Sequence, residues 1–393
     1  MTKKYEYLVI GGGMTADAAV HGIRERDSSG TIAVLCGETY PPYDRPPLSK
    51  KLWTGKPLDV IWRKPGETGA VVFLDTRAVK GDAATKTITD SRGEVYGYEK
   101  LLLATGGAPR RLPAADDGVI YFRTLDDYRR LRALADRKSE FVVIGGGFIG
   151  SEIAAALAMN GCRVTMVFPD SGIGARIYPS KLSDFLNVYF RDKGVTVLAG
   201  ETVRAVKRND VRFVVETGSG KTLSADAVVA GIGIVPETGL AQSLGLKVDN
   251  GIEVDEQLRA APPDIFAAGD VANFYSAALG ARRRVEHEDN ANTMGAMAGR
   301  NMAGASEKYE YLPYFYSDLF DLGYEAVGDF GAGMDIVEDW KEPFRQGVVY
   351  YLRVGRVRGV LLWNTWGQIE AARALIASEE TFSAAKLMGR IHD

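Results

Sequence analysis

Apolar positions change their period along the chain, and each change marks an element. Tyr7-Leu8-Val9-Ile10 is an unbroken apolar run, the pattern of a short strand. Three glycines interrupt it, after which Ala16, Ala19, Val20 and Ile23 recur at i, i+3, i+4 and i+7, one face of a helix. A second strand, "TIAVL", follows and ends near Glu38. The succession returns in "FVVIGGGFIGSEIAAAL", where Ile149, Ile153, Ala156 and Leu157 share a helical face, and "RVTMVF" supplies the next strand before Pro169-Asp170. Further strands are predicted in "LLLATGGAP" (101–109), "ADAVVAGIGIVPE" (225–237) and "DIFAAGDVANF" (264–274), the last running into a helix start at Gly269-Asp270. "GVVYYLRVGRVRGVLLWN" alternates as a hairpin turning at Gly355-Arg356, and 368–388 reads as one or two helices. By contrast "PPYDRPPLSK" (41–50) holds four of the fifteen prolines, so it reads as a stiff, extended arm carrying Arg45 and Lys50.

The two glycine turns carry candidate chemistry. Gly11-Gly12-Gly13-x-Thr15-Ala16 and Gly145-x-Gly147-x-x-Gly150 each lie between a strand and a helix, with an acid (Glu38, Asp170) after the following strand. Such a turn bends sharply at its first glycine, admits a pyrophosphate at the second and packs helix on strand at the third small residue. The helix N-terminus then faces the phosphates, and the acid takes a ribose hydroxyl. Glycine-rich turns also arise for packing alone, but two in full context point to two dinucleotides. Asp170, with no arginine directly after the strand, favours NADH over NADPH, although Arg176 is close by.

Composition narrows the classes. A chain of 393 residues implies two or three domains, and 46% hydrophobic with 25% charged residues is ordinary for a globular protein. A net charge of −3 offers no electrostatic basis for nucleic-acid binding. Only Cys36 and Cys162 occur, which excludes a disulfide scaffold, a cysteine-rich zinc site and a Cys-x-x-Cys pair. No spacing suggests any other metal site. No signal peptide, transit peptide or transmembrane run is visible, so a cytoplasmic address is expected.

In this order the motifs resemble the two-dinucleotide-domain flavoprotein reductases, and among them the apoptosis-inducing-factor-like group. The similarity runs nearly end to end, through "YDRPPLSKKLW", "YEKLLLATGGAPR", "IGGGFIGSE", "RRRVEHEDNA", "SDLFDLGYEAVG", "VLLWN" and the closing "IHD". The resemblance implies an α/β fold: a Rossmann-like FAD domain (1–118 and 236–308) interrupted by a Rossmann-like NAD domain (119–235), then an α+β C-terminal domain (309–393). It implies FAD on Gly11 to Ala16 and near Glu38, with Arg45, Lys50, Val79, Thr105, Gly106, Arg123, Asp270 and His287 along its path. NAD(H) would use the second glycine turn with Phe148, Ile149, Glu152, Asp170, Arg176 and Gly233, while Glu286, Tyr316, Glu325 and Asn364 close around the nicotinamide. Trp62 matches a second nicotinamide position loosely.

The chain departs from that group in three ways. Tyr316-Ser317-Asp318 replaces its "WSD", Glu288 and Asn290 follow His287 where animal relatives have histidines, and neither a leader nor a long polar insertion is seen. A death-signalling or DNA-binding role is therefore not expected. From the residues alone, Lys50 is a solvated charge and Glu152 a first-turn acid favoured by the helix dipole. The resemblance implies instead that they pair beside flavin N5, where a cation favours the electron-rich ring. His287 is expected to contact cofactor rather than act as acid or base, and Tyr316 reads equally as core or as a flavin contact.

The expected activity is hydride transfer from NADH to FAD, then electron release directly from the flavin to an unidentified acceptor such as oxygen, a quinone or an electron-transfer protein. The alternatives are a ferredoxin or rubredoxin reductase and, outside enzymes, an NADH-responsive sensor acting through a partner or homodimer.

Overall fold

The computed structural model describes residues 2–331 and 333–391, so His392 and Asp393 of the closing motif lie outside the described residues. The chain forms two compact units. One takes the chain up to Arg45, Leu58–Ala108 and Val235–Tyr314; the other takes Pro46–Pro57, Pro109–Ile234 and the chain from Phe315 onward.

The first unit is built on a parallel sheet. Lys3–Ile10 lies between Ile32–Leu35, which continues to Val71–Phe73, and Val95–Leu103, which continues to Ile265–Ala267. Strand order therefore reverses at Lys3–Ile10, the topological switch point where ligands bind in open α/β sheets. The helix Met14–Arg24 buries Ala16, Ala19, Val20 and Ile23, the face its spacing predicts. Against it lies the helix Glu288–Met302, in near backbone contact. A Cβ on Gly299 would stand 2.1 Å from the Ala19 carbonyl oxygen, and one on Gly22 2.1 Å from that of Ala296.

The second unit repeats the plan. Its parallel sheet runs Val195–Ala199, Arg163–Phe168, Glu140–Ile144, Ala227–Ala230, Ile120–Tyr121. The helix Phe148–Met159 is buried from Gly150 to Leu157. Ile149, expected on that apolar face, is exposed instead, because it belongs to the open first turn beside the glycines. A five-stranded sheet in the order Tyr314–Leu319, Leu322–Gly328, Arg356–Trp363, Gln346–Arg353, Asp335–Glu342 completes the unit with the helices Ile369–Ala377 and Ala384–Leu387. Aromatic contacts join it to the helix Ser180–Asp192: Phe185 stacks on Phe344 at 5.4 Å and Phe190 meets Phe320 edge-on at 5.1 Å. Lys193 adds a 2.7 Å ion pair to Asp321.

Three local expectations are corrected. The proline arm is extended only in its first half, where Asp44 N–H donates to Ile61 and Arg63 N–H to Pro42. From Pro46 it coils into 3₁₀ turns, Pro46–Leu48 and Lys51–Thr54, since a proline opening a turn forfeits only an N–H that has no partner there. Gly269-Asp270 starts no helix; a single 3₁₀ turn, Gly269–Val271, passes directly into the strand Ala272–Ser276. The hairpin turns one residue earlier than expected, at Val354-Gly355, both in the left-handed region, with Arg353 opposite Arg356. That two-residue geometry matches the twist of the flanking strands.

The helix pair of the first unit yields a test. Gly299→Val is expected to lower stability by about 1–3 kcal/mol or more, because the clash is with backbone, which cannot rotate away. A fall in the urea midpoint at unchanged m-value checks it.

Candidate functional site

Both glycine turns have one steric plan. Gly11 and Gly145 hold φ of +129° and +121°, and a Cβ on either would stand 2.2 Å from the Ala104 and 2.3 Å from the Gly231 carbonyl oxygen. Gly13 and Gly147, which cap the helices, face no protein atom within 4 Å of an added Cβ. Neither cap receives a side-chain hydrogen bond, whereas the helix Leu125–Asp136 closes its start with a Thr124–Asp127 capping box. Two helix N-termini thus keep their N–H groups and partial positive charge for a ligand, and the open space at Gly13 and Gly147 fits a pyrophosphate.

In the first unit the structure gathers several predicted residues around the first turn. Glu38 accepts from the Tyr43 hydroxyl at 2.6 Å and from Arg45 Nη2 at 2.5 Å. The Arg45 guanidinium also lies in the field of Asp270. Thr15 abuts the Gly269-Asp270 turn, a Cβ on Gly269 reaching 2.2 Å from its Oγ1. Thr105 Oγ1 donates to the Glu237 carbonyl and Glu237 N–H to that of Gly106, which staples the strand-end turn in place. Trp62 bridges Tyr43 and packs edge-on to it at 6.2 Å. Glu286 pairs with Arg284, and His287 caps the helix Glu288–Met302 with backbone rather than side chain. Val79 is half exposed on the strand Ala78–Asp82.

The second unit holds the most desolvated charges of the candidate set. Glu152, expected in the first turn of its helix, stands one turn further in, and no acid occupies the first turn. Its side chain is 3% exposed and Lys50's 9%, with Nζ 2.8 Å from Oε2. Ser49 Oγ donates to Oε2 and Ser317 Oγ to Oε1, both at 2.6 Å. Lys50 Nζ also stands 5.2 Å from the Tyr316 ring centroid, within cation–π range. Tyr316 itself is half buried on the strand Tyr314–Leu319, whose alternate residues Phe315, Ser317 and Leu319 enter the core.

The remaining predicted residues of this unit are spread more widely. Phe148 packs edge-on to Phe315 at 5.3 Å. Asp170 and Arg176 form a 3.2 Å pair at the surface, and Gly233 takes φ +90° beside Arg110. Arg123 leads into the capping box, its N–H donating to Asp127. Glu325 accepts from Gly367 N–H at 3.2 Å; burial pushes its carboxyl above the usual range against that hydrogen bond. Asn364, at φ +45°, spends its carboxamide on backbone, Oδ1 accepting from Gly323 and Nδ2 donating to Arg345.

Sequence reading missed Ser49, Ser317 and Tyr43 as partners. Each lies inside a motif singled out above, but the serines meet Glu152 across 103 and 165 residues, a proximity no local pattern encodes. Cys36 and Cys162 are separate, buried and free. Among the described residues no helix is long and apolar enough to cross a membrane, and no cluster of acids, histidines and cysteines could hold a metal ion.

Comparison with known proteins agrees with this geometry. Residues 5–295 match the model of the pyridine nucleotide-disulphide oxidoreductase family, and residues 332–378 match that of the mitochondrion-associated C-terminal region of apoptosis-inducing factor. The chain is 33% identical to apoptosis-inducing factor 1, mitochondrial, of Dictyostelium discoideum, over 96% of this chain and 79% of that protein. It is 35% identical to the ferredoxin–NAD(+) reductase component of the anthranilate 1,2-dioxygenase system of Burkholderia cepacia, over 95% and 94%. The crystal structure of the ferredoxin reductase for the CYP199A2 system of Rhodopseudomonas palustris superposes with a TM-score of 0.88 at 27% identity, covering 97% of this chain and 96% of that one.

The open glycines separate folding from binding. A Cβ on Gly13 meets no protein atom within 4 Å, so Gly13→Ala should keep its thermal midpoint without ligand within a few degrees of the parent, while affinity for added FAD should fall about tenfold or more as the side chain enters the phosphate space. Flavin fluorescence titration and a melting curve read the two effects separately.

Proposed function

The chain belongs to the pyridine nucleotide-disulphide oxidoreductase family, and on that premise we propose that Lys50 and Glu152 are its catalytic pair, serving hydride transfer from NADH to FAD. The protein is an FAD- and NAD(H)-dependent oxidoreductase. FAD when bound supplies the hydride acceptor at N5 and the outlet for electrons, chemistry that belongs to the cofactor.

The observation that carries the proposal is the desolvated pair itself. Removing an ammonium and a carboxylate from water costs several kcal/mol each by general estimates, and their attraction seldom yields net stability. A charge kept under those terms has a positional use. Lys50 would hold positive charge where an electron-rich ring gains most from it, in a medium of low dielectric. Glu152 keeps the ammonium aimed. Tyr316 would supply a flat face for a ring, with Phe148 and Glu325 enclosing the nicotinamide.

The first glycine turn with Thr15, Glu38, Arg45 and Asp270 would hold FAD, and the second with Gly233 would hold NAD(H). Asp170 after the second strand supports recognition of a free ribose hydroxyl and so of NADH over NADPH, with the charge of Arg176 offset by its ion pair to that carboxylate. We assign the FAD domain to 1–118 and 236–308, the NAD domain to 119–235 and the C-terminal domain to 309–393. With two isolated buried thiols there is no cysteine relay, so electrons leave the flavin directly. The Burkholderia cepacia relative is a ferredoxin–NAD(+) reductase component, which supports an iron–sulfur protein as acceptor ahead of oxygen or a quinone. The buried free thiols suit a reducing cytoplasm.

Anaerobic NADH titration of the FAD-loaded protein, followed by a panel of acceptors, tests the reading. NADH should bleach the flavin with one equivalent consumed, and a [2Fe–2S] ferredoxin should reoxidise it faster than dioxygen does. A flavin that NADH leaves oxidised overturns the proposal. Lys50→Ala should slow flavin reduction about 10–100-fold. Because that change strands a buried carboxylate, the double variant Lys50→Met/Glu152→Gln should be measured beside it, with the same loss expected.

A further inference from the structure

We propose that Ser49 and Ser317 are positioning residues that clamp both oxygens of Glu152 and thereby fix where Lys50 presents its charge. The inference rests on the reading of Lys50 and Glu152 given above.

A glutamate terminus turns in a broad torsional well, so a single ion pair leaves the carboxylate free to swing and the ammonium free to follow. Here that freedom is removed from both sides. Ser317 Oγ, on the strand Tyr314–Leu319, donates to Oε1; Ser49 Oγ, one residue before Lys50, donates to Oε2, which Lys50 shares at 2.8 Å. Both bonds measure 2.6 Å, the length of a hydroxyl donating to an ionised oxygen, and both serines are buried, 6% and 1% exposed. Two hydroxyls thus reach one carboxylate from two distant parts of the chain, Ser49 Oγ lying nearer to Glu152 than to its other acceptor, the Pro46 carbonyl at 3.4 Å. Apolar residues of similar size would have filled the space without hydrogen bonds. The serines instead oppose rotation of the carboxylate, and the ammonium is bracketed between Oε2 and the Tyr316 ring.

If the clamp works through Lys50, its loss changes the flavin's environment and not the grip on NADH. In FAD-loaded protein, Ser317→Ala and Ser49→Ala should each slow flavin reduction by NADH about tenfold, the size expected for one hydrogen bond to a charge. The NADH dissociation constant should stay unchanged, the flavin midpoint potential should move negative, and Ser317→Thr should restore much of the rate. In cofactor-free protein, acetylation of Lys50 by acetic anhydride, followed by mass spectrometry, should quicken in both alanine variants. Adding Ser317→Ala to Lys50→Ala should cost nothing further, since the pathway is already cut.

Parental rates, potentials and labelling in both alanine variants overturn the clamp, as does an equal further loss from Ser317→Ala in the Lys50→Ala background. Ser49→Ala keeps the test open if Ser317→Ala does not fold. The two levels separate cleanly: a Lys50→Ala variant with parental rate and potential removes the reading of the pair itself, whereas sensitivity to Lys50 with indifference to both serines removes only the clamp.

Discussion

Two helices in this protein must begin on bare glycine, and the binding architecture follows from that constraint. At each turn the first glycine lies against a carbonyl just past the end of a neighbouring strand and the next against a side chain at the end of the second strand. A Cβ on Gly12 would stand 1.9 Å from Cys36 Sγ, and one on Gly146 would stand 2.7 Å from the Phe168 ring. Only the third position opens to space. The chain is therefore pressed as close as it can come on its protein sides while the helix dipole is left uncapped on the remaining one. A glycine cap forgoes only about a few tenths of a kcal/mol relative to a serine or aspartate cap. The capping box at Thr124–Asp127 shows that this chain does cap another helix with side chains.

Charge is handled differently at the surface and in the interior of the second unit. Lys207–Glu216 and Lys64–Glu67 are exposed pairs of the kind that contributes little. Lys50–Glu152 is nearly dry, and every carboxylate oxygen is met by a hydroxyl. Low dielectric strengthens such a group's field and also makes any unmet lone pair expensive. The same burial that desolvates Lys50 and Glu152 thus explains why two serines accompany the pair.

The proline arm joins these two themes. Through Arg45 it is pinned as an extended segment beside Trp62, with Arg45 held on Glu38; from Pro46 it coils, and the coil delivers Ser49 and Lys50 together to Glu152. Stiffness in the sequence was real, but its shape was not a straight one, because paired prolines fit the first positions of a 3₁₀ turn as readily as an extended strand.

What sequence alone determined here is whatever depends on neighbours along the chain: the two strand–glycine–helix units, the apolar face of the first helix and the C-terminal hairpin, whereas Lys50 and Glu152 became candidates only through the family resemblance. Period and turn chemistry are local, so they can be read without a fold. What only tertiary structure decided is whatever depends on approach between distant segments: the serines on Glu152, Tyr43 on Glu38, the exposure of Ile149 and the carboxamide of Asn364 turned to backbone. Hydrogen bonds and burial act over a few ångströms of space, and no spacing of residues along a polymer states which remote atoms will share it.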